Sequence, residues 1–335
     1  MAIKTILVGV GGRGRWPVEV LAHHPLFQPV ALVDRNQEFL QAAQKDLGLP
    51  DEAIFSDLSP ALEAVEANAV IICTPTSTHA PLSRLAFAAG KHVLVEKGMT
   101  LDWEEAKALV AEADAANVRF CVAQNYRYHP TEQAISALLA NPQHAHNPGH
   151  VAIVDFLHHR YRPEPRTLNY PFAMVWDMSC HHVDLLAAWL GAARRVTAVS
   201  SNPPWSNYEH DADIAAIIEY ESGAICHYVL THAATFADYR LVLQGERGAL
   251  RAYDVPGLQF YDLPQQQLGS ATSVACEVPP QPRSEEGVVN DFGRYITEGI
   301  ETGISGHNNL KTLAVCEMLV RSARERCVVE ASELT

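Results

Sequence analysis

The sequence predicts an α/β chain: an N-terminal Rossmann domain on a doubly wound parallel sheet, followed by a C-terminal α+β domain with an open, mainly antiparallel sheet. Three observations lead there. Between Ile3 and about Gln124, short β-rich runs alternate with helical patterns, as βαβ units and a parallel sheet covered on both faces require. The first run leads directly into a glycine-rich turn. From Val151 onward, β-rich runs follow one another with only short polar breaks, and strands joined by such turns are antiparallel. A length of 335 residues exceeds the usual single domain, and the change of pattern sets the division at residues 1–124 and 125–335, with the C-terminal helices in the second part.

Residues 3–14 join an apolar strand to Gly9, Gly11 and Gly14, with Gly12 and Arg13 inside the turn. The first glycine lets the chain reverse, the second lets backbone approach a pyrophosphate, and the third lets the next helix pack close to its strand. The helix amino terminus then offers N–H groups to phosphates. Residues 30–34 form a second apolar strand ending in an acid, and Asp34 lies 20 residues beyond Gly14. That is about the spacing at which a carboxylate meets the adenosine ribose hydroxyls. A carboxylate there bonds a free 2′-hydroxyl and repels a 2′-phosphate, which predicts NAD. Arg35 could stack on adenine or pair with a phosphate, so NADP stays possible. Further strands are expected at 69–73, 92–96 and 119–123, and helices at 78–89 and 102–116, with Asp102 as N-cap and Gly90 as a stop.

In the second part, strands are expected at 151–159, 196–201, 214–220, 224–232, 239–244, 250–253 and 258–261, with a hairpin turn at Glu221-Ser222-Gly223. Helices are expected at 131–140, 181–190, 288–301 and 309–324, and the polar, turn-rich stretch 141–149 reads as a surface loop. One face of such a sheet needs covering. If the helices leave it bare, a homodimer or homotetramer through the C-terminal sheet is the expected remedy.

A net charge of -14 argues against nucleic-acid or anionic-membrane partners, which need a basic surface. The seven cysteines are scattered, odd in number and never paired as CxxC, which reads as reduced thiols of a cytoplasmic protein. The amino terminus enters the first strand without a basic-then-apolar leader, and no apolar run approaches the roughly 18–20 residues that span a bilayer.

Cys73-Thr74-Pro75-Thr76-Ser77-Thr78-His79 closes the strand at 69–73. On its own it reads either as a hydroxyl-rich helix cap or as a second cofactor loop with Thr74, Pro75, Thr76 and His79 as contacts. The next strand ends in Glu96-Lys97 at the expected ligand crevice. A lysine partly desolvated beside a cationic nicotinamide would have its proton affinity lowered and could polarise or deprotonate a hydroxyl. Read alone, it could also be a surface lysine. The pairs His158-His159 and His181-His182 stand beside Asp177 and Asp184 and invite a metal reading. Adjacent residues on a strand point to opposite faces, so such a pair offers at most one ligand, and no metal is expected. The stretch from Arg160 through Tyr161 to Trp176, like residues 203–208, carries aromatics and fork-like donors suited to a sugar or an acidic sugar, or equally to packing a neighbouring subunit.

Taken together, Gly9 to Gly14, Asp34, Thr74-Pro75-Thr76-Ser77-Thr78-His79, Gly90-Lys91-His92-Val93 and Glu96-Lys97 resemble the Gfo/Idh/MocA family of nicotinamide-dependent sugar and polyol oxidoreductases. Asn125-Tyr126-Arg127-Tyr128-His129-Pro130 extends the likeness, Asp177 to Asp184 resembles the family's DxGxHxxD helix start, and residues 310–322 resemble its final helix. The likeness is densest over residues 1–130 and thin between 200 and 290. Gly98 stands where the family usually has proline, and Ser179 where it has glycine. Neither change removes a reacting group. The resemblance implies Lys97, Asp177 and His181 as the catalytic set: His181 as base, Asp177 orienting, Lys97 holding the developing alkoxide. Read locally, a His-Asp pair near a helix start is a cap. The resemblance also adds Glu96 to the cofactor contacts, and Tyr126 and Arg127 to Tyr161, Trp176 and the catalytic set as substrate contacts. The activity implied is NAD(P)-dependent oxidation of a secondary hydroxyl of a sugar, inositol-like polyol or sugar acid, or the reverse reduction. Two alternatives remain: tightly bound NAD serving a redox-assisted glycoside hydrolase or epimerase, and a non-catalytic nucleotide-binding protein.

Overall fold

The structure, a computed structural model, describes residues 2–162, 164, 170–253, 257–262, 273–280 and 283–334. Most of the 163–169 part of the arginine-rich loop therefore lies outside the described residues. The chain divides into two units, Met1–Asn125 with Pro282–Leu310, and Tyr126–Gln281 with Lys311–Thr335.

In the first unit, β1 (Ile3–Val8), β2 (Phe27–Val33), β3 (Ile54–Phe55), β4 (Ala69–Ile72), β5 (His92–Val95) and β6 (Phe120–Val122) form one parallel sheet in the order β3-β2-β1-β4-β5-β6. Its central strands are mostly apolar, and β4 is buried at every residue, as helices on both faces demand. The strand order reverses between β1 and β4, so the carboxyl ends of those strands flank the crevice where such sheets take ligands. The helix Trp103–Ala115 starts where expected: the Asp102 carboxylate accepts from the Glu105 amide at 2.8 Å.

One part of the expected division is corrected. From sequence the helix near residue 288 belongs with the second domain, whereas the structure places Pro282–Leu310 with the first unit. The reason is packing. The helix Ser284–Glu298 stacks Phe292 on Phe27 at 5.9 Å, and Gly293 lies so close that a Cβ there would stand 2.5 Å from Leu26. Tyr295 receives Arg119 over its ring at 5.0 Å, and the Val122 amide donates to the Ile304 carbonyl at 2.9 Å, prolonging the edge of the sheet. Burying Phe292 contributes roughly 1.5–3 kcal/mol, against about 0–1 kcal/mol for the exposed Arg283–Glu19 ion pair, so apolar contact decides the docking.

In the second unit, β7 (Val151–Tyr161), β8 (Ala193–Ser201), β9 (Asp213–Tyr220), β10 (Ile225–Thr231), β11 (Ala233–Gly245), β12 (Gly248–Tyr253), β13 (Leu258–Asp262), β14 (Ser273–Cys276) and β15 (Val328–Glu330) form a second sheet in the order β14-β13-β12-β11-β7-β10-β9-β8-β15. Every hairpin is antiparallel, including β9–β10 about Gly223 at φ 89°. β7 and β10 are parallel, however, because they are neighbours in space and not in sequence. The sheet is thus mixed. Alternate residues of β9, namely Ile214, Ala216, Ile218 and Tyr220, are buried toward the helices. The helix Cys180–Leu190 touches this face through His182 on Tyr228, and the helix Pro130–Ala140 through Glu132 on Tyr239. The opposite face is left bare: Val199 is 62 % exposed and Ile217 48 %. Among the described residues no helix is long and apolar enough to cross a membrane.

The far end of the first unit carries a titratable clasp. His307 Nε2 donates to Asp114 at 2.9 Å and Nδ1 to Glu301 at 3.1 Å, which only an imidazolium does at both nitrogens. Partial burial lowers the His307 pKa, but the hydrogen bond and charge of Asp114, joined by those of Glu301, outweigh it, and the net shift is upward. A raised folded-state pKa means the contribution is fully present below the ordinary histidine value near 6.5 and is lost as pH rises through the folded value. We therefore expect His307→Gln to lower the thermal midpoint at pH 5.5 and to have little effect at pH 9. Equal losses at both pH values in a thermal melt would refute the clasp.

Candidate active site

The glycine turn follows β1. Gly9 is left-handed at φ 78°, and a Cβ there would stand 2.7 Å from the Cys73 carbonyl oxygen; a Cβ on Gly14 would stand 1.9 Å from the Gly9 oxygen. Both positions therefore need glycine for the turn to close. Asp34, just past β2, accepts the Val10 amide at 2.8 Å on Oδ2 and the Asn36 amide at 2.9 Å on Oδ1, so it ties the turn to the end of the neighbouring strand. Asn36 caps the helix Gln37–Leu47, which brings Phe39 so close that a Cβ on Gly11 would lie 2.0 Å from its ring. Arg35 is exposed beside Asp34. These residues fit a dinucleotide: the turn is shaped where side chains would fill it, and a carboxylate stands at the ribose position.

Past β5 the chain is pinned by Glu96. The carboxylate is buried, with Oε1 accepting from Arg13 Nε at 2.7 Å and from Trp16 Nε1 at 3.0 Å, and Oε2 accepting from the Lys97 amide at 2.9 Å. Arg13 also donates to Glu285 at 3.0 Å. Arg13 and Glu96 thus hold the glycine turn, the end of β5 and the helix Ser284–Glu298 together. Lys97 is half-buried, and its peptide to Gly98 is cis. His79 is buried, with Nδ1 2.8 Å from the Gly98 oxygen and Nε2 2.8 Å from the Thr74 oxygen. It braces the loop after β4 against the turn after Lys97, and its burial lowers its pKa against the pull of those two carbonyls. Thr74, Pro75 and Thr76 are partly or fully exposed on that loop.

In the second unit, the expected helix start is a π-helical turn, Val175–Ser179, running into Cys180–Leu190. Single π turns inside helices recur at functional sites. Asp177 Oδ2 accepts from Arg162 Nη1 at 2.8 Å. His181 is buried and stacks on Tyr126, centroids 4.2 Å apart and planes 8° from parallel. Arg127 reaches Asp184 with two nitrogens, Nη2 to Oδ1 at 2.9 Å, and the Thr312 hydroxyl donates to the same Oδ1 at 2.8 Å. Arg127 therefore braces the helix that carries His181. Tyr161 is 67 % exposed, and strand alternation places it on the other face of β7 from the one that Arg162 shares with Asp177. Trp176 is buried inside the π turn.

Sequence reasoning missed two features here. A 280 Å³ cavity is lined by Tyr126, His129, Glu132, His158, Tyr239 and Tyr253, brought together from three strands, the helix Pro130–Ala140 and the turn before it. Burial raises the Glu132 pKa, opposed by its own amide and by the Tyr239 hydroxyl, which donates to Oε1 at 3.1 Å. Beside it runs a buried chain: His158 Nδ1 to His182 Nε2 at 3.1 Å, His182 Nδ1 to the Tyr228 oxygen at 2.8 Å, and the Tyr228 hydroxyl to Ser179 Oγ at 2.8 Å. Burial, joined by the charges of neighbouring groups, pushes His158 down to about 4 and His182 well below its usual value, so both rings are neutral at pH 7. With Tyr228 donating to Ser179, the tautomers follow: each imidazole carries its proton on Nδ1 and donates onward. Ser179, where the resembled family has glycine, is the acceptor that ends this chain. The two histidine pairs in the sequence were the available signal, but they raised only a metal reading, which strand alternation disfavours.

The doubly wound sheet, its glycine turn and the carboxylate after β2 define a dinucleotide-binding domain of the Rossmann class. The profile of the oxidoreductase family with an NAD-binding Rossmann fold matches residues 3–124, and that of the GFO/IDH/MocA C-terminal domain matches residues 145–251. The chain belongs to the GFO/IDH/MocA oxidoreductase family. It is 29 % identical to the D-apiose dehydrogenase of Paraburkholderia graminis, over 91 % of this chain and 83 % of that one. It is 24 % identical to the inositol 2-dehydrogenase of Rhizobium meliloti, over 97 % of this chain and 98 % of that one. Its fold matches that of an oxidoreductase from Agrobacterium radiobacter, solved with NAD+, L-tartaric acid and magnesium, with a TM-score of 0.89 at 19 % identity and full coverage of both chains.

Removing one member of the buried chain strands the others. Ser179→Ala leaves the Tyr228 hydroxyl without its acceptor, and Tyr228→Phe also strands the His182 Nδ1 proton. Each is expected to cost about 1–3 kcal/mol in urea unfolding, Tyr228→Phe the more. A Tyr228→Phe protein as stable as the parent would contradict the chain of donors.

Proposed function

We propose that the protein oxidises a secondary hydroxyl of a sugar, polyol or sugar acid, or reduces the matching ketone, with NAD as the preferred cofactor. The observation that carries this reading is the grouping in the second unit of Asp177, His181 and Tyr126, with Arg162 on Asp177 and a tyrosine-lined cavity alongside. D-Apiose and inositol, named for two relatives, are polyhydroxylated, which supports the substrate class. The glycine turn, Asp34, Arg35 and the loop Thr74–Thr76 would hold the dinucleotide, whose nicotinamide supplies the hydride acceptor when bound. His181 takes the hydroxyl proton, Asp177 orients the hydroxyl or the imidazole, and Lys97 stabilises the oxygen as its charge develops. Tyr126 keeps the His181 ring in one plane by stacking. Asp34 favours a free ribose 2′-hydroxyl and so NAD over NADP.

A panel of inositols, aldoses and sugar acids, followed by nicotinamide absorbance with NAD and NADP in parallel, tests this. On the best substrate, Lys97→Ala and His181→Ala should each lower kcat by about 10²–10⁴-fold. Full turnover by either variant would sink the mechanism. Net reduction of many equivalents of added NAD separates a dehydrogenase from an enzyme that returns the hydride within one turnover.

The bare sheet face supports a homodimer or homotetramer closed through it, since Val199 and Ile217 stand exposed on neighbouring strands. Introducing Val199→Glu and Ile217→Glu together should convert the assembly to monomers in light scattering; a parent protein that is already monomeric would overturn the assignment. The cysteines are all free and five are buried, which fits a reducing, cytoplasmic setting.

A further inference from the structure

We propose that the substrate carries a carboxylate and that Arg160 is the residue that selects it. This deepens the dehydrogenase reading and rests on it. On β7, side chains alternate, so His158, Arg160 and Arg162 share the helix-covered face, the one that holds Asp177 and His182. Arg162 is matched by Asp177 at 2.8 Å. Arg160 is not matched: its Nη1 is buried without a hydrogen-bond partner, and among the described residues no carboxylate pairs with it. A guanidinium stays charged at any working pH, and a buried donor left unsatisfied is costly, so such a nitrogen calls for an acceptor.

The surroundings agree. β10 runs parallel to β7 with Leu230 opposite His158, which carries His232 alongside Arg160. His232 is fully buried, and both ring nitrogens lack a partner among the described residues. Burial pushes its pKa down to about 3, helped by the charges of Arg162 and Arg160. The charge of Arg160 also reaches His158 and His182, both neutral. Arg160 is thus ringed by neutral imidazoles where a structural arginine would have a carboxylate. Among the described residues Arg162 pairs with Asp177 and Arg160 with no carboxylate, which leaves an excess of one positive charge there in a chain whose net charge is -14. A planar carboxylate matches one guanidinium fork, and a neutral imidazole adds one N–H, which suits a singly charged sugar acid, an aldonate or uronate.

The test uses the full chain with NAD. Binding of D-gluconate and D-galacturonate is compared with that of sorbitol and D-galactose by tryptophan fluorescence and calorimetry, and kcat/KM is measured on those that turn over, with D-glucose 6-phosphate as a further arm. The acids should bind at least about tenfold tighter than their neutral counterparts, with the gap expressed in KM and not in kcat. Arg160→Met should bring the acid-to-neutral ratio close to one, and Arg160→Lys should keep part of it. The ligand-free Arg160→Met protein should melt no lower than the parent, because it loses an unpaired charge and not a brace. Equal binding of neutral sugars, equal weakening of both classes by Arg160→Met, tighter binding of the phosphate ester, a lower melt for the methionine variant, or no binding of any acid would each overturn the inference. Reduction of NAD by neutral polyols with no preference for acids would overturn this inference alone. Tight binding of the acids without any reduction would overturn the dehydrogenase reading alone.

Discussion

The first unit depends on one buried carboxylate. Glu96 sits at the end of β5 and satisfies three donors at once: Arg13 from the glycine turn, Trp16 from the helix after it, and the amide of Lys97. An unpaired carboxylate buried there would cost several kcal/mol, so the turn, the helix and the strand end must arrive together or not at all. Arg13 extends the arrangement to Glu285, and through it to a helix drawn from the far end of the chain. The backbone around Lys97 thus takes its place from the same bond that holds the glycine turn. His79 adds a second brace by bridging the carbonyls of Thr74 and Gly98.

The second unit solves a similar problem with neutral groups. Between the sheet and the helix Cys180–Leu190, the polar atoms of His158, His182, Tyr228 and Ser179 satisfy one another in a single direction. That chain needs no counter-ion, because burial keeps both imidazoles uncharged. Ion pairs hold the site helix itself: Arg162 meets Asp177 in the π turn, and Arg127 meets Asp184 within the helix. Against this economy the unmatched Arg160 stands out, and its meaning lies in what it has yet to bind.

Much of the fold was legible because its signals are local. Apolar runs at two-residue and helical periods located strands β1, β2, β4, β5 and β6 and the helices His79–Ala88 and Trp103–Ala115 to within a few residues, and Asp102 caps its helix as its position suggested. The glycines of the turn carried steric information that survives intact in the folded chain, since Gly9 and Gly14 abut backbone atoms. The short strands β3, β14 and β15 were missed because no residue run in them is buried throughout, whereas the equally short β4 and β6 are buried at every residue. The parallel pairing of β7 with β10 was also missed, because pairing between strands remote in sequence leaves no turn to read.

What the sequence determined by itself was the class of each segment and the kinds of side chain available: a dinucleotide turn, a lysine at a strand end, an aspartate and a histidine on one helix. Those follow from backbone sterics and periodicity, which act over a few residues. Only the tertiary structure decided how the polar groups were shared out. It made Arg13, Glu96 and His79 braces, turned Tyr161 outward, gave Ser179 a partner in Tyr228, and left Arg160 without one. The reason is that a buried polar group must find its partner in space, and the partners here lie on strands and helices up to 272 residues apart, as for Arg13 and Glu285.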